Sequence, residues 1–261
     1  MSQVSPSHHP PPLDELHFQF QRIAAIHDSS SDWFESLVRW HLADGTIRGP
    51  LDILPYWLSP NHQADFTRFT IERAAETLRT NPETRVSINL SPRQVSHPSA
   101  VVTLEALRAD VQARMIVELT EQRMRDSASL WASVAALREQ CGLVVLDDVT
   151  RYDMSTRFRE EVPVDGIKLD RSIVTLLRDP EERERTVRFI QRATERFGIV
   201  VAEGVEDVSL RDLLHDIGVT HLQGFAIDVP RRRLDAPERD DELRRGARAG
   251  AEHDGLGPQA T

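Results

Sequence analysis

The sequence predicts an α/β fold, a (β/α)8 barrel of the TIM type, on three observations. Short apolar runs alternate with helical patterns over roughly 220 residues, which implies a parallel sheet covered by helices. Eight of those runs read as strands, which favours a closed barrel over an open, doubly wound sheet. No glycine-rich phosphate loop or dinucleotide fingerprint follows the first strand, which also weighs against the open form.

The strand candidates, in order, are "FQRIAAI" (20–26), "FESLVRW" (34–40), "VSINLS" (86–91), "MIVELTE" (115–121), "LVVLDD" (143–148), "GIKLD" (166–170), "IVVAEGVE" (199–206) and "HLQGF" (221–225). Helices are expected between them at about 62–79, 99–109, 127–140, 181–196 and 208–216. Their apolar residues recur at three- and four-residue spacing, as in Phe189, Ile190, Ala193 and Phe197. Asp207 and Ser209 are candidate caps for the helix before Leu210, and Gly198 and Gly218 punctuate helix ends. The opening "MSQVSPSHHPPP" is rich in Pro, His and Ser, so residues 1–15 are expected to be a disordered tail. The barrel domain is expected over 16–235, followed by a polar, largely disordered tail at 236–261.

Bulk composition narrows the function classes. The 42 acidic and 32 basic side chains leave a formal charge of −10, which argues against an extended nucleic-acid surface. An anionic ligand would need a local cationic pocket or metal ions. Cys141 is the only cysteine, which rules out an internal disulfide framework and fits a reducing compartment. No apolar run approaches the roughly 20 residues that span a bilayer, and no basic-plus-apolar signal opens the chain. A soluble, cytoplasmic protein is the expectation.

In a barrel of this kind, reactive groups collect at the C-terminal ends of the strands. Reading those ends gives Asn89, Glu118 with Glu121, Asp147 with Asp148, Lys168 with Asp170, Glu203 with Glu206, and Gln223, while Glu35 lies within the second strand. Taken singly, each has an ordinary structural explanation. Glu35 can be a salt-bridge partner, Asn89 a turn or cap residue, Lys168 a surface charge and Glu206 a first-turn helix residue. Asp147–Asp148 can equally be a site or a capped loop. Successive strand residues face opposite ways, so both aspartates reach one site only if the chain turns there, which would put Asp148 at the start of a loop. Together, however, so many carboxylates in one crevice would repel one another unless cations neutralise them. Asp, Glu and Asn oxygens suit Mg²⁺ or Mn²⁺, and the dispersed histidines offer no zinc spacing. Such a site serves two-metal hydrolysis of a phosphate ester, with two cations about 3.5–4 Å apart and a lysine to orient water or balance phosphoryl charge.

The ordered series "FQRI … ESLVRW … VSINLSPRQ … VELTE … LDD … VDGIKLDRSIV … VVAEGVED … LQGF" resembles the EAL-domain family of cyclic-di-GMP phosphodiesterases over roughly residues 18–234. The resemblance implies a TIM-like barrel with one strand reversed. It also implies cleavage of cyclic-di-GMP to linear pGpG with two Mg²⁺ or Mn²⁺ ions, and a homodimer. By position, Glu35 matches the signature glutamate, although Ser36 replaces the usual alanine. Glu35, Asn89, Glu118, Asp147 and Asp148 match metal-site positions. Lys168 matches the lysine that assists the nucleophilic water, and Glu203 a further glutamate of the metal site. Gln21, Arg39 and Gln223 match positions at the substrate nucleotide, where the planar fork of Arg39 suits a phosphate. Glu121 matches a glutamate that anchors the loop after "LVVLDD".

The sequence also departs from that pattern. The loop reads "VTRYDMS" (149–155) where active members carry a glycine-rich segment. Thr150, Arg151 and Tyr152 would adopt positive φ only at a cost. Arg22 stands where a proline is usual after Gln21, and "AIDVP" stands where "SRP" commonly closes the eighth strand. Arg231 to Arg233 read as a solvated basic run. An active phosphodiesterase in bacterial second-messenger signalling is therefore the leading expectation. Its alternatives are a catalytically impaired cyclic-di-GMP receptor, a partner-binding regulator and an unrelated metal-dependent barrel hydrolase. With no synthase segment or sensory domain recognised, control is expected through self-association, expression level or a separate regulatory protein.

Overall fold

The computed structural model describes residues 11–26, 32–120, 128–150 and 162–234. Its strands are β1 (Leu16–Ala25), β2 (Asp32–His41), β3 (Ile47–Arg48), β4 (Thr84–Leu90), β5 (Met115–Leu119), β6 (Leu143–Val149), β7 (Gly166–Leu169), β8 (Ile199–Ala202) and β9 (His221–Leu222). The strands follow the order β1-β9-β8-β7-β6-β5-β4-β2, and β1 pairs with β2 to close the ring, with β3 attached outside on β2. Neighbours from β2 through β4 to β9 run parallel. β1 is antiparallel to both of its neighbours and is the reversed strand.

Helices cover the outside of this barrel: α1 (Pro50–Trp57), α2 (Gln63–Thr80), α3 (Pro92–Val95), α4 (Pro98–Glu105), α5 (Ala109–Gln112), α6 (Ala128–Arg138), α7 (Arg171–Leu176), α8 (Arg183–Arg196) and α9 (Arg211–Asp216). α2 shows why these segments are helical. Phe66, Thr67, Thr70, Ile71, Ala74, Ala75 and Leu78 are buried along one stripe of its 18 residues, and apart from Ala64 and Phe69 the remainder is polar. No helix among the described residues is long and apolar enough to cross a membrane.

The structure adds elements that periodicity does not reveal. α1 contains Pro55, which reads as a helix breaker, yet Ile53 and Trp57 bury it against Leu16, Val38, Trp40 and Phe66. α3 and α7 are too short to show a period; Ser91 with Gln94 forms a capping box for the first, and Asp170 caps the second. The helix expected over 99–109 is two helices. That expected over 208–216 begins as a 3₁₀ turn at Val208–Leu210, where Asp207 Oδ1 accepts from the Ser209 N–H at 2.8 Å. Ordered contacts also begin before residue 16. Trp57 Nε1 donates to the Pro11 carbonyl at 3.0 Å, and Trp40 Nε1 to Glu15 Oε2 at 3.0 Å.

Two residues decide the polarity of the barrel interior on each strand. A plug of Ile23, Trp33, Ile116, Val145 and Val201 packs together inside the ring. Side chains repeat every second residue along a strand, so the next inward positions toward the C-terminal mouth are Glu35, Glu118, Asp147 and Glu203. On the reversed β1 the same step runs backwards in sequence, from Ile23 to Gln21.

Candidate metal-binding active site

The polar layer above the plug is organised around one cation. Lys168 is 1% exposed, and its Nζ lies 2.7 Å from Glu203 Oε1, 2.8 Å from Glu118 Oε2, 3.0 Å from Asp147 Oδ1 and 3.2 Å from Glu35 Oε2. Glu35 also accepts from Asn89 Nδ2 at 2.7 Å and from Gln223 Nε2 at 2.6 Å. Gln223 Nε2 lies 3.3 Å from Gln21 Oε1, and Gln21 Nε2 donates to the Asp228 carbonyl at 2.9 Å. The register of β1 and β2 places Gln21 directly opposite Glu35. All eight strands of the ring thus deliver a side chain to one buried cluster, six from within the strand and two, Glu203 and Gln223, from the residue just after it.

Asp148 joins the cluster by a backbone turn within the strand. It has φ +54°, and the β6–β7 register shifts between Leu146 and Val149. β6 continues through Val149, so the expectation that Asp148 starts a loop is corrected. The bulge rotates Asp148 so that two consecutive carboxylates serve one site. Asp tolerates this left-handed geometry better than most residues.

The electrostatics follow from placing four carboxylates around one ammonium, with Asp148 beside them. Burial pushes Glu118 well above the usual carboxylate range, with Glu35 adding to it and Lys168 opposing. Burial likewise raises Asp147, brings Asp148 up to about 6 with help from Asp147, and brings Glu203 up to about 8 against the pull of Lys168. For Glu35, burial works upward, but Lys168, Gln223 and Asn89 outweigh it and its pKa is lowered. Burial works to discharge Lys168; Asp147, Glu118, Glu203 and Glu35 prevail and keep it protonated.

These residues fit hard divalent cations. Oxygens of Glu35, Glu118 and Asp147 lie within 4.8 Å of one another, and so do those of Asp147, Asp148 and Glu203. Glu118 Oε1 is buried with no hydrogen-bond donor, and Asp147 Oδ1 has no aligned donor although it lies close to Lys168. Buried oxygens without donors are costly unless a cation takes them. An all-oxygen donor set suits Mg²⁺ or Mn²⁺.

Two lobes of open space meet at Glu35 and Asp148. One, of about 280 Å³, is walled by Phe18, Leu54, Leu58 and Phe66, with Asn89 and Asp147 at its inner end. The other, of about 320 Å³, is polar and includes Gln21, Asp170, Arg171, Glu203, Glu206 and Gln223. The apolar wall from α1 and α2 was not legible in the sequence, because its residues look like any helix face. Arg171 and Phe225 of the polar lobe were likewise missed, though Asp170 beside Arg171 was an available signal.

Arg39 stands apart from both lobes. It sits four residues after Glu35 on the same face of β2, and its guanidinium donates to Gln19 Oε1 at 3.1 Å and to the Val38 carbonyl at 2.9 Å. Glu121 lies outside the described residues, as does the loop 149–155 beyond Thr150. Arg231, expected in a solvated run, instead pairs with the buried Asp228.

A closed barrel with one reversed strand and two groups of acidic side chains at its mouth that could hold metal ions defines a protein of the TIM-like barrel class. Comparison with known proteins is more specific: the EAL domain model matches residues 12–230, and the chain belongs to the EAL domain family. It is 27% identical over 213 residues to the probable cyclic di-GMP phosphodiesterase PdeB of Escherichia coli, covering 79% of this chain and 41% of that protein. It is 27% identical over 205 residues to the cyclic di-GMP phosphodiesterase PdeR of the same organism, covering 75% and 31%. The chain thus spans less than half the length of these relatives. Among solved structures, an EAL domain protein from Listeria monocytogenes aligns with TM-score 0.71 at 20% identity, covering 90% of this chain and 94% of that one. The FimX EAL domain from Pseudomonas aeruginosa bound to c-di-GMP aligns with TM-score 0.68 at 20% identity, covering 85% and 93%.

Proposed function

We propose that this chain hydrolyses cyclic-di-GMP to linear pGpG with two divalent cations. The observation that carries the reading is the convergence of Glu35, Glu118, Asp147 and Glu203 on Lys168, with Asp148 turned into the same mouth. Glu35, Asn89, Glu118 and Asp147 would hold one ion, and Asp147, Asp148 and Glu203 the other. When bound, Mg²⁺ or Mn²⁺ would acidify a water and stabilise charge on the phosphoryl oxygens.

The protein's own groups set the geometry. Lys168 holds its proton and fixes four carboxylates that would otherwise repel one another. Gln223 and Asn89 aim the two oxygens of Glu35. Gln21 and Gln223 line the polar lobe and are the proposed nucleotide contacts on that ground; Arg39, which lines neither lobe, is proposed as a third from its match to the family pattern alone. In the hydrolysis a water oxygen joins phosphorus, one bridging P–O3′ bond breaks, and the 3′ oxygen takes a proton. That leaves a 5′ phosphate on the linear product.

The test is to incubate the purified chain with cyclic-di-GMP and Mn²⁺, then Mg²⁺, and to follow pGpG by chromatography beside a Glu35→Ala control. Metal-dependent product that vanishes in the control is expected. Binding without turnover would replace the enzyme with a cyclic-di-GMP receptor, and neither binding nor turnover with a partner-binding regulator. Self-association and a separate regulatory protein are the proposed routes of control in each case, and sedimentation with and without ligand tests the first.

A further inference from the structure

The reversed strand leaves a gap in the barrel seam. Along β1, the N–H groups of alternate residues face the β9 side. Ala24 pairs there with Leu222, and Phe20 pairs with Arg231 through Phe20 N to Arg231 O at 2.7 Å and Arg231 N to Phe20 O at 2.9 Å. Between them stands Arg22, paired with Phe34 of β2 on its other side but with no β9 partner among the described residues, because β9 ends at Leu222. A buried backbone N–H requires an acceptor. Asp228 Oδ2 supplies one, accepting from Arg22 N at 3.1 Å, and its other oxygen accepts from Arg231 Nε at 3.1 Å and from Arg231 Nη2.

Asp228 is 7% exposed, and its carbonyl accepts from Gln21 Nε2 at 2.9 Å. From Gln21 the chain of contacts runs to Gln223 Nε2 at 3.3 Å and on to Glu35 Oε2 at 2.6 Å. The turn that carries Asp228 is pinned as well. Its N–H donates to Gly224 O at 3.0 Å, and a Cβ on Gly224 would lie 2.3 Å from the Val205 backbone. Two departures noted in the sequence, Arg22 after Gln21 and Asp228 within "AIDVP", therefore touch each other across 206 positions. A proline at 22 would have no N–H to offer, and the carboxylate would lose that donor.

We propose that Asp228 is a positioning residue, which closes the barrel seam at Arg22 and through Gln21 and Gln223 fixes the orientation of Glu35. The inference deepens the metal-site reading and rests on Glu35 being a cation ligand. Its test therefore includes Mn²⁺ affinity, which reports on Glu35 whether or not the chain turns over substrate.

The experiment compares wild type, Asp228→Ala and the double variant Arg22→Pro with Asp228→Ala by Mn²⁺ titration, thermal midpoint and steady-state kinetics. Groups that hydrogen-bond a metal ligand directly typically matter by about 10- to 100-fold. Asp228 acts two contacts further out, by holding the turn whose carbonyl meets Gln21, so a loss of Mn²⁺ affinity toward about 10-fold is expected for Asp228→Ala. Where turnover exists, kcat should fall, and KM should rise as well, because Gln21 and Gln223 are also the proposed nucleotide contacts. The double variant removes the orphaned N–H, so its thermal midpoint should return toward wild type while Mn²⁺ affinity stays low. Unchanged Mn²⁺ affinity in folded Asp228→Ala would overturn the proposal. So would recovery of both midpoint and affinity in the double variant, which would make Asp228 a seam residue only. If Asp228→Ala does not fold, Asp228→Asn keeps an acceptor for Arg22 N and should hold Mn²⁺ affinity close to that of wild type. A clear loss in folded Asp228→Asn would overturn the seam geometry. Absence of turnover in wild type with the affinity pattern intact would count against the phosphodiesterase reading and leave this one standing.

Discussion

Lys168 Nζ and Glu118 Oε2 stand 2.8 Å apart in a pair from which solvent is excluded, with side-chain exposures of 1% and 0%. Glu118 has a second oxygen with no donor at all. The pair is therefore the floor of an incomplete charge balance, which a cation above it would complete.

Lys168→Met removes the cluster's cation without changing its length greatly. Removing one partner of a buried charge pair costs about 3–5 kcal/mol, so a large fall in stability is expected in EDTA. Mn²⁺ should restore part of it, because an ion bound only by the folded state stabilises it by mass action. Denaturation of both proteins in EDTA and in Mn²⁺ measures this, and equal stability in EDTA would contradict the assigned role of Lys168.

Asp148 combines a strained backbone with a carboxylate proposed to hold a cation, and substitutions separate the two. Asp148→Asn keeps a side chain tolerant of φ +54° and should fold normally with weaker Mn²⁺ binding. Asp148→Val should be less stable than Asp148→Asn by about 1–2 kcal/mol, the cost of a left-handed backbone for a β-branched residue without the local hydrogen bonds that Asn can make. Asp148→Gly should be at least as stable as Asp148→Asn and equally weak in Mn²⁺ binding. Equal stability of the Val and Gly variants in urea would mean that the turn is not held at positive φ.

His221 makes stability depend on pH from outside the carboxylate cluster. Burial, and secondarily Arg85, lower its pKa from 6.5 to about 4. Its ring lies against Trp33 at 5.4 Å, and its Nδ1 is 2.9 Å from Thr220 Oγ1. Between those pH values the unfolded chain binds the proton more readily than the folded one, so stability rises with pH. The contribution is complete above 6.5, declines as the pH falls and is gone below about 4. The stability difference between wild type and His221→Gln should therefore shrink by on the order of 2 kcal/mol from pH 7.5 to pH 4. Urea denaturation across that range reads it, and a difference independent of pH would show that His221 is solvated.

Much of the site was legible because barrel strands carry an inward residue at every second position and deliver their ends to one mouth. Trp33 and Glu35, Ile116 and Glu118, Val145 and Asp147, and Val201 and Glu203 each repeat the same step from plug to cluster. Local pattern could not show the turn at Asp148, since both outcomes have the same sequence. Pro55 concealed α1, whose stability comes from packing against Trp40 and Phe66 rather than from propensity. The pairing of Arg22 with Asp228 was visible only as two unrelated departures.

The sequence by itself determined the barrel, its polar mouth and the residue types that fill it. These depend on periodicity and strand direction, which are local properties of the chain. Only the tertiary structure decided that one lysine gathers four carboxylates, that Asp148 turns inward, and that Asp228 closes the seam beside the reversed strand. Those outcomes depend on distances between strands far apart in sequence, and electrostatic and hydrogen-bond energies are set by such distances, not by neighbours along the chain.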